Sequence, residues 1–197
     1  MTEIASRTTQ LDSCRIHYLE AGSGDNPTVI LLHGMKFQAA TWQQVGTLEQ
    51  LAREGFHAVA VDMPGFGKTP PCSLDNDEVL HHLIHENGGS AALIGPSMGG
   101  RTALEFAIAH PSLVERLVLV GAVGVRENEK FLGAISIPTL LVWGRDDRVS
   151  PVENLNILAD SLPDSRKVIL EGAPHPCYLD SPDAWHRELL GFLTSAG

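Results

Sequence analysis

The sequence predicts a single α/β domain, spanning residues 1–197, built on a mostly parallel, doubly wound sheet. Three observations predict it. The apolar runs in PTVILLHG, HAVAVDMPG, AALIG and RLVLVGAVG do not alternate with polar residues, as strands covered on both faces require. Segments of helical spacing separate these runs, so the order reads strand, helix, strand, helix. The chain has 197 residues, 43% hydrophobic and 19% charged, which suits one domain with a sizeable core and argues against disorder. No internal repeat, linker or low-complexity stretch interrupts it.

Each element follows in order. SRTTQL and CRIHYLEAG read as an N-terminal hairpin or edge pair, and PTVILLHG as a buried strand. TWQQVGTLEQLAREG reads as one helix, with Trp42, Val45, Leu48 and Leu51 at spacings of three and Gly55 as its cap. HAVAVDMPG is a strand ending in a Pro- and Gly-rich turn. DNDEVLHHLIHENGG is a short helix with acidic residues at its start and glycines at its end. AALIG is a strand and SMGGRTALEFAIAHP a helix that Pro111 stops. RLVLVGAVG, PTLLVWG and RKVILEG supply three more strands. PVENLNILADSL and PDAWHRELLGFLTS are helices with proline near the first turn.

Net charge is −10, which argues against nucleic acid and against an anionic membrane surface as partners. The apolar runs are too short to span a bilayer, and the N-terminal MTEIASRTTQLDS lacks the pattern of a secretory signal. The three cysteines, Cys14, Cys72 and Cys177, are widely spaced and odd in number, so neither a disulfide framework nor a zinc site is expected and the cytoplasm is the expected location.

Ser97 carries the chemistry. It stands in GPSMG, directly after a strand and at the start of a helix. A residue at such a bend takes an unfavourable backbone conformation, and its neighbours two positions away must be small. Gly95 and Gly99 meet that need, giving the G-x-S-x-G pattern. Right-handed crossovers put every strand-to-helix loop at one edge of the sheet. A serine nucleophile there needs a base, and the base an orienting acid. GRDDRVSP offers Asp146 or Asp147 after one strand, and GAPHPCYLD offers His175 after the next. His110 falls at the far end of the helix that Ser97 begins, and His186 inside the last helix, which leaves His175. The backbone N–H groups of Met98 and of Met35, in LLHGMKF, are the expected oxyanion donors.

Other features read as structural. PGFGKT looks like a phosphate loop, but Asp62 stands where that pattern needs glycine. His81, His82 and His85 share a helix without a carboxylate set to make a metal site. Cys177 reads as packing rather than a rim thiol. Phe37, Trp42 and Tyr178 stand near enough in the pattern to border a pocket or to pack in the core.

LLHG, DMPGFGK, GPSMGG, GRDDRVSP and GAPHPCYLD, in that order, resemble the α/β-hydrolase superfamily over nearly the whole chain. HGMKF, TWQQVGTL, GFHAVAVDMPGFGK and HPCYLD are similar to its domain-containing-protein-14 family, the B form above all. The resemblance implies an α/β-hydrolase fold and a serine hydrolase without a cofactor. Its acid is usually the third residue after the glycine, which favours Asp147, so Ser97, Asp147 and His175 would form the triad, with Met35 and Met98 as oxyanion donors. The resemblance implies small acyl substrates such as aryl esters, removal of acetyl groups from lysine with coenzyme A as acceptor, and binding to a general transcription factor subunit. Larger relatives carry a helical lid where only VRENEKFLGAIS stands here, so an open site without a lid domain is expected. Serine as nucleophile excludes the haloalkane and epoxide branches, which use aspartate.

Overall fold

The computed structural model describes residues 3–195. An eight-stranded sheet runs through the molecule in the order β1-β2-β4-β3-β5-β6-β7-β8. The strands are β1 (Ile4–Leu11), β2 (Cys14–Ala21), β3 (Thr28–Leu31), β4 (His57–Val61), β5 (Ala91–Pro96), β6 (Val114–Val120), β7 (Thr139–Gly144) and β8 (Ser165–Leu170). The hairpin of β1 and β2 is antiparallel and pairs antiparallel with β4; all later pairings are parallel. The parallel strands therefore end at one rim, and every loop that follows one opens there.

The helices are α1 (Ala39–Val45), α2 (Thr47–Arg53), α3 (Asn76–Glu86), α4 (Met98–Ala109), α5 (Val125–Asn128), α6 (Val152–Ser161), α7 (Cys177–Asp180) and α8 (Pro182–Leu193). Successive strand residues point to opposite faces, so each unbroken apolar run feeds two cores. Ile30, Leu32, Val59, Leu93, Leu117 and Leu141 face α3, α4 and α6. Val29, Leu31, Ala58, Ile94, Val118 and Leu140 face α1, α2 and α8. A fully buried leucine at such a site contributes about 1.5–3 kcal/mol. Charge marks the outer strands, with Arg7 on β1 and Arg166 and Lys167 on β8, which discourages edge-to-edge pairing.

Two expectations are corrected. The segment read as one helix is two, because Gly46 has φ 87° and ends α1 while starting α2. The three-residue spacing survives the break because both helices lie on the same face of the sheet, with Trp42, Leu48 and Leu51 fully buried. Second, Cys14 and Cys72 form a disulfide with their Cα atoms 5.9 Å apart across 58 residues of sequence. Spacing along the chain does not reveal it, because the hairpin tip meets the loop after β4 only in the folded sheet. The bond also removes the cysteine argument for a reducing compartment.

Between β6 and β7 the chain makes only α5 and one 3-10 helix, Glu129–Ala134, where a lid would otherwise stand. Among the described residues no helix is long and apolar enough to cross a membrane.

Candidate active site

Ser97 follows β5 directly and caps α4. It has φ 53° and ψ −115°, and with Asp12 it is one of two non-glycine residues at positive φ among the described residues. Such a conformation costs about 1–3 kcal/mol, so the surroundings must hold it. They do so through the Ser97 N–H, which donates to the Val120 carbonyl at 2.9 Å, and the Ser97 carbonyl, which accepts from Val123 N–H at 3.2 Å. A Cβ on Gly95 would stand 2.7 Å from Gly100 N, and one on Gly99 would stand 2.7 Å from the His33 carbonyl. Both glycines are therefore required by close backbone approach, as the pattern predicts.

His175 lies in the loop after β8. Its Nε2 is 2.8 Å from Ser97 Oγ and its Nδ1 is 2.8 Å from Asp147 Oδ2. A carboxylate can only accept, so Nδ1 carries the proton and Nε2 is left to accept from the serine hydroxyl. Asp147 stands three residues beyond Gly144, the end of β7. Its side chain is fully buried, and Oδ1 accepts from Val149 N–H and Ser150 N–H, each at 2.8 Å. Asp146 is exposed and does not join the chain of bonds. The loops of Asp147 and His175 are themselves tied, with Arg145 N–H on the Leu170 carbonyl at 2.9 Å and Asp146 N–H on the Ala173 carbonyl at 3.0 Å.

Gly121 is a contributor that the sequence reading passed over. It follows β6 at φ 51°, and a Cβ there would be 2.9 Å from Asp147 Oδ2 and 3.4 Å from His175 Nδ1. The missing side chain is the space the Asp147–His175 bond occupies. Gly121→Ala is expected to lower kcat about 10- to 100-fold with little change in KM, by misplacing the imidazole. Steady-state kinetics on a model ester would check it. The signal available in advance was a glycine directly after an apolar strand, but glycines of that kind recur along the chain.

The Gly34–Met35 turn runs beside the serine; a Cβ on Gly34 would touch Ser97 Cβ at 3.6 Å. The Gly34 carbonyl accepts from Phe37 N–H at 3.0 Å and from His33 Nδ1–H at 2.9 Å. Across a planar trans peptide the N–H points opposite the carbonyl, so these two donors set the direction of the Met35 N–H. Met35 is 67% exposed. Met98 is the first residue of α4, where helix geometry leaves the N–H without an intrahelical acceptor.

His33 is a second residue the sequence reading passed over. Its Nε2 accepts from Met63 N–H at 3.2 Å, and its ring packs on Phe66 with centroids 4.9 Å apart. Burial holds this imidazole below the ordinary histidine range, against the Gly34 carbonyl and Asp62, which pull the other way. The neutral ring that results is the form able to accept at Nε2. Asp62 backs the same region: Oδ1 accepts from Ala39 N–H at 2.7 Å, and Oδ2 from Lys68 N–H at 2.9 Å and His17 Nδ1–H at 2.7 Å. Asp62 is thus the anchor of the PGFGKT turn.

Gly34, Phe37, Pro96, Ser97, Val120, His175, Pro176 and Tyr178 line a small recess at the serine, with a cavity volume of about 10 Å³. Trp42 is not among them; it is fully buried, stacks on Tyr178 at 4.9 Å and donates to the Leu32 carbonyl at 2.8 Å. Cys177 is buried, and burial pushes its thiol up to about 12, so it packs rather than reacts. His82 Nε2 lies 3.0 Å from Thr9 Oγ1 of β1, and among the described residues it makes no bond to any of these groups.

Comparison with known proteins agrees with this architecture. The alpha/beta hydrolase fold family matches residues 27–129 and 123–182. ABHD14B of Rattus norvegicus, named as a candidate protein-lysine deacylase, is 35% identical over 206 residues, covering 97% of this chain and 96% of its own. ABHD14A of Danio rerio is 36% identical over 174 residues, covering 84% and 64% respectively. A crystal structure from Thermoplasma acidophilum, described as a CIB-like hydrolase, superposes with a TM-score of 0.93 at 24% identity, covering 98% and 99%. That last likeness bears on the fold alone.

Proposed function

Because this chain belongs to the alpha/beta hydrolase fold family, with the ABHD14 proteins among its relatives, we propose that it is a serine hydrolase acting on small acyl substrates through an acyl-enzyme. The observation that carries the proposal is the unbroken line of hydrogen bonds from Ser97 Oγ through His175 to Asp147. In this reading His175 Nε2 takes the Ser97 proton as the oxygen attacks the acyl carbonyl. Asp147 holds the imidazole in the required tautomer and stabilises the cation that forms. The Met35 and Met98 N–H groups receive the oxyanion. His175 then returns the proton to the leaving group, and water, activated in the same way, releases the acid.

The small recess at Ser97, lined by Phe37 and Tyr178, suits a short acyl group better than a long chain. Long-chain lipids are not the proposed substrates. No cofactor enters the scheme, and neither nucleic acid nor a membrane surface is a proposed partner.

The names of the ABHD14B relatives favour a second reading, in which the acyl group comes from lysine; in its fuller form, implied by the family resemblance alone, the acyl group passes to a thiol such as coenzyme A in place of water. A fluorophosphonate probe tests the common core: stoichiometric labelling mapped to Ser97 is expected, and its absence under native conditions would remove the nucleophile. Turnover of an ester and of an acyl-lysine peptide, with and without coenzyme A, then separates the two readings. Release of acyl-CoA in preference to free acid would displace simple hydrolysis. A cytoplasmic place of action belongs to the proposal as well. Alkylation-quenched cell extracts bear on it, since a Cys14–Cys72 bond held fully oxidised in cells would speak against a reducing compartment.

His33→Phe tests the oxyanion assignment. The variant keeps a ring against Phe66 but removes both hydrogen bonds of the imidazole. The expected result is a kcat lowered about 10- to 100-fold with KM little moved, somewhat less than outright loss of one oxyanion donor.

A further inference from the structure

The hairpin of β1 and β2 is longer than the strand it pairs with. β4 pairs only with Tyr18–Ala21 of β2, and β2 begins at Cys14. Because β2 runs antiparallel to β4, the unpaired half, residues 14–17, overhangs the rim where the parallel strands end. There it lies on the loop 62–75, which has no regular secondary structure. Four ties join the overhang to that loop: Asp62 N–H on the His17 carbonyl at 2.9 Å, His17 Nδ1–H on Asp62 Oδ2 at 2.7 Å, His17 N–H on Thr69 Oγ1 at 2.9 Å, and the Cys14–Cys72 disulfide. The three hydrogen bonds reach only as far as Thr69. Among the described residues, 71–74 makes no backbone hydrogen bond; Leu74 packs against the core and Asp75 is fixed by its capping box with Glu78, so between Thr69 and Leu74 the disulfide is the covalent tie to the hairpin.

The opposite end of the same loop touches the site. Met63 N–H donates to His33 Nε2, Phe66 packs on the His33 ring, and His33 Nδ1–H orients the Gly34 carbonyl. Cys14 is buried at 1% exposure, whereas Cys72 is partly exposed. Cys72 is thus the more exposed residue of the pair, and the one at which an external reagent can approach.

We propose that Cys14 and Cys72 form a reversible redox site, opened at Cys72 by an external dithiol, whose state sets how firmly loop 62–75 backs the Gly34–Met35 turn. A thiolate of the dithiol attacks Cys72 Sγ. The Sγ–Sγ bond breaks and Cys14 leaves as a thiolate, which takes up a proton. The second thiol of the reagent then displaces Cys72, which is likewise protonated, and the reagent leaves as its own disulfide. Two electrons pass to the protein, and both protons come from the dithiol. Closure is the reverse exchange with a disulfide oxidant. The redox site itself stands on the geometry of loop and hairpin; its effect on turnover rests on the hydrolase reading above.

The test uses the whole chain, purified without reductant, and dithiothreitol as the probe. Iodoacetamide under native conditions is expected to leave Cys14 and Cys72 unmodified before reduction and to modify Cys72 after it. Amide exchange in 62–75 is expected to quicken about tenfold or more on reduction, and to quicken detectably at 34–37. The melting temperature is expected to fall by roughly 5–10 °C, and kcat on a model ester about three- to tenfold, recovering on reoxidation. A Cys14→Ala/Cys72→Ala chain should match the reduced protein and ignore dithiothreitol. Modification of both cysteines without reductant would overturn the proposal. So would unchanged exchange across 62–75 on reduction, which requires no variant to fold. A dithiothreitol effect that persists in the double variant would overturn it too. Alkylation and exchange do not depend on catalysis, so they remain decisive if Ser97 fails to label.

Discussion

Ser97→Ala is expected to lower kcat on a model ester about 10⁴-fold or more and to abolish labelling by a fluorophosphonate. The reason is geometric: among the described residues the only hydroxyl bonded to His175 Nε2 is Ser97 Oγ, at 2.8 Å. The fold should survive. The substitution removes one oxygen at a position already held at φ 53°, and the backbone bonds from Ser97 to Val120 and Val123 remain. Melting temperature and circular dichroism should therefore match the parent chain closely. A variant that folds and retains more than about one hundredth of parental kcat would end the nucleophile assignment.

Asp147→Asn is expected to lower kcat about 10⁴-fold by reversing a tautomer rather than by emptying a site. Asp147 Oδ1 is held by two backbone donors, Val149 N–H and Ser150 N–H. An asparagine must keep its carbonyl oxygen there, because an amide NH₂ would face two N–H groups. Its NH₂ then points at His175 Nδ1, which can only accept it. The ring proton moves to Nε2 and is presented to Ser97, where a base is needed. Steady-state kinetics check the loss, and a crystal structure or nitrogen chemical shifts of the imidazole check its cause. An Asp146→Asn chain serves as the control. Asp146 is exposed and outside the hydrogen-bonded line, so its kcat should stay within about twofold. Equal losses in the two variants would remove the distinction between them.

The fold was legible because each buried strand must be apolar on both faces and each helix on one, and those requirements write periods into the chain. PTVILLHG and RLVLVGAVG announced themselves in this way. The line of Ser97, Asp147 and His175 was legible for a related reason. In a parallel sheet the loops that follow successive strands share one rim, so three polar residues each placed after a strand are neighbours before any coordinate is known. Gly46 was misread because periodicity does not distinguish one helix from two that share a face. His33 and Gly121 were passed over because their function lies in what stands opposite them, Gly34 and Met63 for one, Asp147 and His175 for the other.

By itself, then, the order of residues determined the layered α/β architecture, the bend at Ser97, and the rim to which Asp147 and His175 are delivered. These follow from local sterics and from burial, which act on each segment where it stands. Between the two adjacent aspartates the residues alone left the choice open, the family resemblance favoured Asp147, and the tertiary structure turns Asp147 inward; only the tertiary structure decided that His33 aims the Gly34–Met35 peptide and that Cys14 meets Cys72 across 58 residues. Those outcomes depend on distances between segments remote in sequence, and the packing of the whole sheet sets them.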